Sequence, residues 1–187
     1  MAQKRKDWNG LISGFKASDL VFLDESGCNT DMTRRYAYSL GGSRAVDSAP
    51  LSKPKNTTIL SSIQLDGTLR YTTFSGGTTV ERFKRYLETD LLPHLNGNSV
   101  LIMDNMKSHH AKAVRNLLDS SSVRYIYLPP YSPDLNPIEK LWSKVKSFLR
   151  KFKARTLDAL PNAIQNAFHS VTISDCSGWF RFCGYAL

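Results

Sequence analysis

The sequence predicts an α/β domain over residues 18–187, built on a mixed sheet of about five strands with helices on its faces. Three observations lead to this prediction: the number of strand-length apolar runs, a hairpin signal between two of them, and a later switch to alternating strand and helix patterns. The runs lie at residues 20–23, 57–64, 69–74, 99–103 and 123–128. With 187 residues, 41 % of them hydrophobic, the chain is long enough for one domain with a sizeable core.

A polar and basic leader, residues 1–17, precedes the first strand. Residues 20–23 are a continuous apolar run of the kind that buried strands show, and the run ends at Asp24 and Glu25. Residues 35–40 then alternate aromatic with small or polar side chains. We therefore expect the N-terminal part to form an antiparallel meander that follows the leader.

The turn Asp66-Gly67 is a strong hairpin signal between the second and third strands. From Thr78 the apolar spacing becomes helical, and Thr78-x-x-Glu81 matches a capping box. The apolar side chains on one face of this helix are Val80, Phe83, Leu87 and Leu91. The chain thus passes from the meander into alternating strands and helices.

The C-terminal half alternates strands with helices, which predicts parallel pairing for the fourth and fifth strands. The predicted helices lie at residues 108–118, 137–153 and 157–169. A stiff, proline-rich turn at 129–134 separates the fifth strand from the long helix. The aromatic tail, residues 179–185, is expected to pack back on the sheet.

The charge balance favours a polyanionic partner. The chain has 25 Lys and Arg against 16 Asp and Glu, a formal charge of +9, so nucleic acid is the first candidate. No apolar run approaches the ~20 residues of a membrane span, and the N-terminus lacks the features of a secretory signal, so a cytosolic protein is expected. The three cysteines form no Cys-x-x-Cys pair, which favours reduced thiols at packing or surface positions over a disulfide framework or a zinc site.

Two aspartates follow buried strands. Asp24 ends the first apolar strand and Asp104 ends the fourth, and open α/β sheets place ligand sites at the carboxyl ends of their strands. A lone aspartate at such a position is more often a turn or cap residue. If the two strands are neighbours, however, the two side chains face each other, and together with a third carboxylate a shared site becomes the better interpretation.

The third carboxylate, Glu139, has two interpretations. Asn136, Pro137 and Glu139 fit a reciprocal helix cap, which needs no catalysis. The rest of the helix favours a second role, because a basic row follows Glu139 within ~40° on a helical wheel. The row consists of Ser143, Lys146, Arg150 and Lys153. A carboxylate that holds a cation and a row that meets phosphates would suit a bound phosphodiester.

Three clustered carboxylates repel one another unless a cation neutralises them. Magnesium is usually held by one or two carboxylates together with water and phosphate, so this set suits two ions that share Asp24. Lys107 and His109 follow Asp104 closely and are further candidates for DNA contact. For His109, a hydrogen bond to a carboxylate, a bond to a phosphate and a capping or surface position all stay open.

The sequence resembles the mariner-like superfamily of cut-and-paste transposases, in particular its bacterial insertion-sequence branch. The matching segments are Phe22-Leu23-Asp24-Glu25-Ser26, Met103-Asp104-Asn105 with His109, and the run from Tyr127 to Glu139 with Trp142. Between Asp104 and Glu139 lie 34 residues, which is similar to the spacing in that family. The resemblance covers about residues 18–170.

This resemblance implies an RNase H-like fold and two Mg²⁺ or Mn²⁺ ions held by Asp24, Asp104 and Glu139. It implies cleavage of transposon ends, joining of the freed 3′-hydroxyl to target DNA at TA, and action as a homodimer in the bacterial cytoplasm, associated with the nucleoid. The family places helix-turn-helix domains ahead of this core, and here only about 17 residues precede the first strand. Three explanations for this short N-terminal segment stay open. The helix-turn-helix domains are a separate product, the protein is truncated, or the chain has been trimmed.

Two other functions remain open. An RNase H-like nuclease, such as a junction resolvase or a ribonuclease that acts on hybrids, would share the carboxylates and the basic face. A catalytically silent DNA-binding fragment that pairs with full-length transposase would share the charge. Strand transfer separates the first alternative from a transposase, because a hydrolase only cuts.

Overall fold

The meander and the parallel strands join in one mixed sheet, as the sequence predicts. The computed structural model describes residues 2–34, 36–48, 50–51 and 54–186. The strands are β1 (Leu20–Cys28), β2 (Thr57–Ile63), β3 (Leu69–Ser75), β4 (Val100–Met103) and β5 (Arg124–Tyr127). Their order in the sheet is β3-β2-β1-β4-β5. The β1–β2 and β2–β3 pairs are antiparallel, whereas β1–β4 and β4–β5 are parallel.

The helices flank this sheet. They are α1 (Ala2–Ile12), α2 (Val80–Tyr86), α3 (Lys112–Ser120), α4 (Ile138–Phe152), α5 (Ala159–His169) and α6 (Ile173–Phe182). Helix α2 continues into a π-helical turn at Leu87–Leu91, which keeps both of those leucines buried. The hairpin predicted at Asp66-Gly67 joins β2 to β3, and Gly67 supplies the positive φ of +88° that this turn requires.

The alternation of side chains along the strands divides the core between the two faces of the sheet. Phe22 and Ile102 point to the face covered by α4, α5 and α6. Leu23 and Met103 point to the opposite face, which α2 and α3 cover. Consecutive residues of β1 therefore face different helices, and this difference determines what Asp24 and Glu25 contact.

Several local predictions need correction. Strand β1 does not end at Asp24 but continues to Cys28, because its pairing with β2 outlasts its pairing with β4. The cap of α2 is Thr79, whose side chain accepts a hydrogen bond from the Arg82 amide, and not Thr78. Helix α3 begins at Lys112 instead of residue 108, after a turn at residues 107–110.

The loop between β1 and β2 contains no strand at residues 36–40, although the alternating pattern there is typical of one. Tyr36 and Tyr38 are both exposed, so their alternation does not reflect burial on one side of the sheet. Arg35, the first residue of that pattern, lies outside the described residues. Within the described part of the chain, the meander therefore consists of β1, β2 and β3 alone.

The leader differs most from the expectation. Residues 2–12 form α1, and Trp8 is 3 % exposed within the core cluster on the α4 side of the sheet. Ile12, one turn further on, packs against the same cluster, so a short apolar stripe attaches this basic helix to the domain. None of the helices in the described ranges is long and apolar enough to cross a membrane.

The predicted packing of the C-terminal tail is confirmed. The rings of Phe180 and Tyr185 lie 5.4 and 5.0 Å from the ring of Phe22, measured between centroids. The prediction of reduced cysteines agrees with the structure, in which all three are free, and their burial makes them packing residues and not surface residues. They are Cys28, Cys176 and Cys183.

Candidate active site

The three carboxylates line one cleft at the carboxyl edge of the parallel strands. The cleft has a volume of about 460 Å³, and Asp24, Asp104 and Glu139 line it together with the loop that follows β5. The loop residues are Leu128, Pro129, Pro130, Tyr131, Ser132 and Pro133. Asn105, Met106 and Asn136 complete the lining. Residues from three separate parts of the sequence thus meet in one open space.

The register of two strands places the aspartates side by side. Leu23 of β1 pairs with Met103 of the parallel β4, so the next residue on each strand is Asp24 and Asp104. Burial, together with the nearby carboxylates of Glu25 and Asp104, raises the pKa of Asp24 to about 7, although hydrogen bonds to Asp24 act in the opposite direction. This carboxylate therefore lies in surroundings that a positive charge would stabilise.

Trp142 orients Asp24. Its indole Nε1 donates a hydrogen bond of 3.1 Å to Asp24 Oδ2. Only 3 % of Trp142 is exposed, and the ring packs between α4 and the sheet, so the donor has little freedom. In the sequence, Trp142 is one of the residues that carry the family resemblance, and the polar nitrogen of its indole is the further signal for this orienting role.

His109 bridges two carboxylates beneath the cleft. Its Nδ1 lies 2.9 Å from Asp104 Oδ1, and its Nε2 lies 3.1 Å from Glu25 Oε1. The imidazole also stacks on Phe83, with the ring centroids 4.1 Å apart. Burial lowers the pKa of His109, but the two hydrogen bonds and the two negative charges outweigh burial and raise it to about 10. The bridge is therefore an imidazolium between two carboxylates.

Among the interpretations of His109, the contacts of the side chain support the hydrogen bond to a carboxylate. The side chain is 0 % exposed, whereas the predicted contact with DNA requires an accessible imidazole. The hydrogen bond from His109 holds the pKa of Asp104 below its ordinary value, although burial alone would raise it. Sequence reasoning did not assign a role to Glu25, and its position directly after Asp24 was the available signal.

Glu139 lies in the first turn of α4 without the reciprocal cap that its spacing predicts. The residue at the N-cap is Pro137, which makes no side-chain capping hydrogen bond. The side-chain oxygen of Asn136 is buried and has no hydrogen-bond partner among the described residues. The start of α4 is held by a backbone bond of 3.1 Å from Glu139 N to Asn136 O. The carboxylate of Glu139 is exposed in the cleft.

The oxygen donors around the cleft fit a hard divalent cation. Asp24, Asp104 and Glu139 supply carboxylate oxygens, which Mg²⁺ and Mn²⁺ prefer. Asn136, whose side-chain oxygen is buried without a hydrogen-bond partner among the described residues, is one of the residues that line the same cleft. In the described ranges, no group of three His, Cys, Asp or Glu side chains is close enough together to hold one ion. The side chains share a cleft without gathering at a single point.

The predicted basic row lies along the flank of α4 and outside the lining of the cleft. Lys146 and Arg150 are half-buried, and Arg150 lines a separate groove with Asp31 and Arg34. Lys153 ends the helix in a left-handed conformation with φ of 56°, and its Nζ lies 2.5 Å from Asp47 Oδ1. The ammonium group of Lys153 is therefore paired with a carboxylate, whereas the sequence predicts that it contacts a phosphate of DNA.

Lys107 lies in the turn after β4, three residues beyond Asp104, and is exposed. It does not line the cleft. The structure thus brings the three carboxylates together but leaves the basic candidates around the cleft instead of inside it.

Comparison with known proteins identifies similar sequences. A family model described as DDE superfamily endonuclease matches residues 19–161, a span that contains all three carboxylates. Among curated proteins, the transposable element Tc1 transposase of Caenorhabditis elegans is 30 % identical over 97 residues. That match covers 50 % of this chain and 36 % of the relative.

Comparison with solved structures identifies the same fold. A pre-cleavage Mos1 transpososome has a TM-score of 0.81 at 18 % identity, over 97 % of this chain and 58 % of that chain. The Mos1 mariner paired-end complex with Mn has a TM-score of 0.79 at 20 % identity, over 95 % and 57 %. This similarity confirms the RNase H-like fold. The chain spans less than two thirds of the length of these relatives.

Proposed function

Because the chain belongs to the DDE superfamily of endonucleases, we propose that it is the catalytic core of a DNA transposase. In this proposal it cleaves phosphodiester bonds at transposon ends and joins the freed 3′-hydroxyl to target DNA. The observation that carries the proposal is the cleft shared by Asp24, Asp104 and Glu139. The bacterial insertion-sequence branch and insertion at TA are part of the same proposal.

Asp24, Asp104 and Glu139 would hold two Mg²⁺ or Mn²⁺ ions, with Asp24 shared between them. The solved relative with Mn supports the choice of a divalent cation. When bound, such ions activate the attacking oxygen and stabilise the leaving oxygen of an in-line displacement. The raised pKa of Asp24 supports this assignment, because a cation would remove the repulsion and desolvation that favour its protonated form.

The remaining residues orient the ligands and bind the substrate. Trp142 fixes one oxygen of Asp24, and the imidazolium of His109 fixes one oxygen of Asp104, which would leave the second oxygen of each aspartate to bind an ion. Lys146 and Arg150 contact phosphates along the strand that leads to the cleft. Each of these residues thus either binds DNA or orients a metal ligand. Its contribution to catalysis is to position the reacting phosphate.

DNA is the proposed partner, both as transposon end and as target. The relatives described as a transpososome and as a paired-end complex support this partner and a homodimer in which two ends are held together. The net charge of +9 agrees with it. A separate helix-turn-helix product that reads the transposon ends would complete the assembly.

A strand-transfer assay tests the proposed function. The substrates are labelled duplexes made from the inverted repeats that flank the gene, together with a circular target DNA and Mg²⁺ or Mn²⁺. We expect nicked ends and joined products. Cleavage without joining would instead identify an RNase H-like nuclease, and binding without cleavage would identify a silent DNA-binding fragment.

Lys146→Ala and Arg150→Ala are expected to weaken DNA binding without abolishing chemistry. Each change removes one proposed phosphate contact, so the slope of log affinity against log salt should fall by ~1 in each variant. Cleavage at saturating DNA should remain close to that of the wild type. Salt-dependent fluorescence anisotropy and single-turnover cleavage measure the two properties.

Lys151→Ala is the matched control, because Lys151 lies on the same helix but on a different face, beside a groove formed with α6. Its salt slope should equal that of the wild type. Equal slopes for Lys146→Ala, Arg150→Ala and Lys151→Ala would show that the basic row does not bind phosphate.

Trp142→Phe is expected to lower the affinity for Mn²⁺ by about 10-fold, in the range found when an outer residue that orients a ligand is lost. The phenyl ring retains most of the packing, but the hydrogen bond to Asp24 disappears. Calorimetric titration with Mn²⁺ measures the effect. Trp179→Phe, on α6 and away from the cleft, controls for the loss of an indole; an unchanged Mn²⁺ affinity in Trp142→Phe would contradict the orienting role.

A further inference from the structure

Tyr131 is an exposed aromatic residue in an unfavourable backbone conformation at the rim of the cleft. Its φ is 54°, in the left-handed region, where a bulky side chain is rare and asparagine or glycine is usual. The residue is 87 % exposed, and its hydroxyl makes no hydrogen bond to any described residue. Neither burial nor a polar contact within the described chain therefore explains why an aromatic ring occupies this position.

The loop that carries Tyr131 is held on both sides. Before it, Leu128 N donates to Met103 O at 2.8 Å, and Asn105 Nδ2 donates to Leu128 O at 2.5 Å. After it, Asp134 forms an ion pair with Arg5 of α1. Prolines on either side of the tyrosine stiffen the segment further. The ring is thus presented to solvent by a restrained loop, and binding to it would require little ordering of the chain.

The position of the ring indicates its ligand. Tyr131 lines the same cleft as Asp24, Asp104 and Glu139, so a strand whose phosphate reaches the carboxylates passes the loop. An uncharged, flat aromatic face matches a nucleobase better than a phosphate. The face of a paired base inside a duplex is covered by its neighbours, so the base must be unpaired, as at a nick, an overhang or an extruded nucleotide.

We propose that Tyr131 stacks on an unpaired nucleobase next to the scissile phosphate. This inference rests on the proposed function, because it requires DNA in the cleft. Stacking on an aromatic side chain is tolerant of base identity, so Tyr131 would position the strand without reading its sequence. The reacting phosphate would then be aligned by the carboxylates on one side and by the stacked base on the other.

The test places 2-aminopurine at one position at a time across the junction of a duplex with a short single-stranded overhang. Binding is measured in Ca²⁺, and single-turnover cleavage in Mg²⁺. We expect the wild type and Tyr131→Phe to quench the fluorescence of 2-aminopurine at one junction position. Tyr131→Asn tolerates the left-handed backbone but lacks the ring, so its quenching should disappear and its cleavage should fall about 10-fold.

The melting temperature separates this effect from misfolding. Asparagine relieves the backbone strain, so Tyr131→Asn should melt no lower than the wild type. Phe182→Asn removes another exposed ring, on α6 outside the lining of the cleft, and should quench and cleave like the wild type. Wild-type quenching and cleavage in Tyr131→Asn would overturn the stacking inference alone. If the wild type neither bound nor cleaved any DNA, the proposed function would fail, and this inference with it.

Discussion

Asp24→Asn is expected to abolish Mg²⁺- and Mn²⁺-dependent cleavage while it stabilises the metal-free protein. The loss of activity should be at least ~100-fold, because even residues that only orient a metal ligand cost 10- to 100-fold when they are removed. The gain in stability follows from the raised pKa of Asp24, whose charge is disfavoured by burial. Asparagine removes that charge and still accepts the hydrogen bond from Trp142.

The sign of this stability effect depends on pH. The folded pKa of Asp24, about 7, lies above its ordinary value of 3.8, so the protonated form is favoured by folding. This contribution is complete below pH 3.8 and is lost as the pH rises through 7. Without metal, the wild type should therefore lose more stability between pH 5 and pH 8 than Asp24→Asn does. If Asp24→Asn raises the free energy of unfolding by ~1–2 kcal/mol at pH 8, its melting temperature should be roughly 2–8 °C higher than that of the wild type.

Asp104→Asn and Glu139→Gln should abolish cleavage as well, without unfolding the domain. Glu139→Gln is informative because glutamine can fill the same capping role, so a cap alone would leave activity intact. Glu88→Gln, an exposed change outside the lining of the cleft, is the matched control and should cleave normally. Near-normal Mn²⁺-dependent nicking by all three folded variants would refute the assignment of the metal site.

His109→Ala is expected to have the largest effect on stability. It leaves the Glu25 carboxylate, whose side chain is 6 % exposed, without its charged partner and removes the ring that stacks on Phe83. Breaking a buried ion pair in this way costs about 3–5 kcal/mol, or roughly 6–20 °C in melting temperature for a domain of this size. Cleavage should fall too, even well below the melting temperature, because Asp104 loses the bond that orients it.

A double-mutant cycle isolates the bridge from simple loss of packing. Glu25→Gln should recover part of the stability lost in His109→Ala, because it removes the unpaired charge. His110→Ala removes a neighbouring histidine that stacks on Tyr127, and it should be milder. Strictly additive costs for the Glu25 and His109 changes in chemical denaturation would show that no bridge couples them.

The sequence predicts the architecture well because the architecture depends on short-range patterns. Continuous apolar runs mark β1 and β4, and the Asp66-Gly67 turn marks the hairpin between β2 and β3. Each segment buries its apolar side chains in a similar way whatever its distant neighbours are. The spacing of those side chains is therefore visible in the sequence of the segment itself. The carboxyl ends of two such strands also identify Asp24 and Asp104, since adjacent parallel strands end at the same edge.

Only the tertiary structure determines which side chains orient these carboxylates. His109 meets Glu25 across 84 positions of the sequence, and Trp142 meets Asp24 across 118. Neither contact has a periodic signal, because a directional hydrogen bond depends on where two backbones come to lie and not on the spacing within either one. The sequence alone determined which strands form and where their acidic residues fall. Sheet register and helix packing decided which side chains hold those acids in place, since only closure of the core brings the partners within bonding distance.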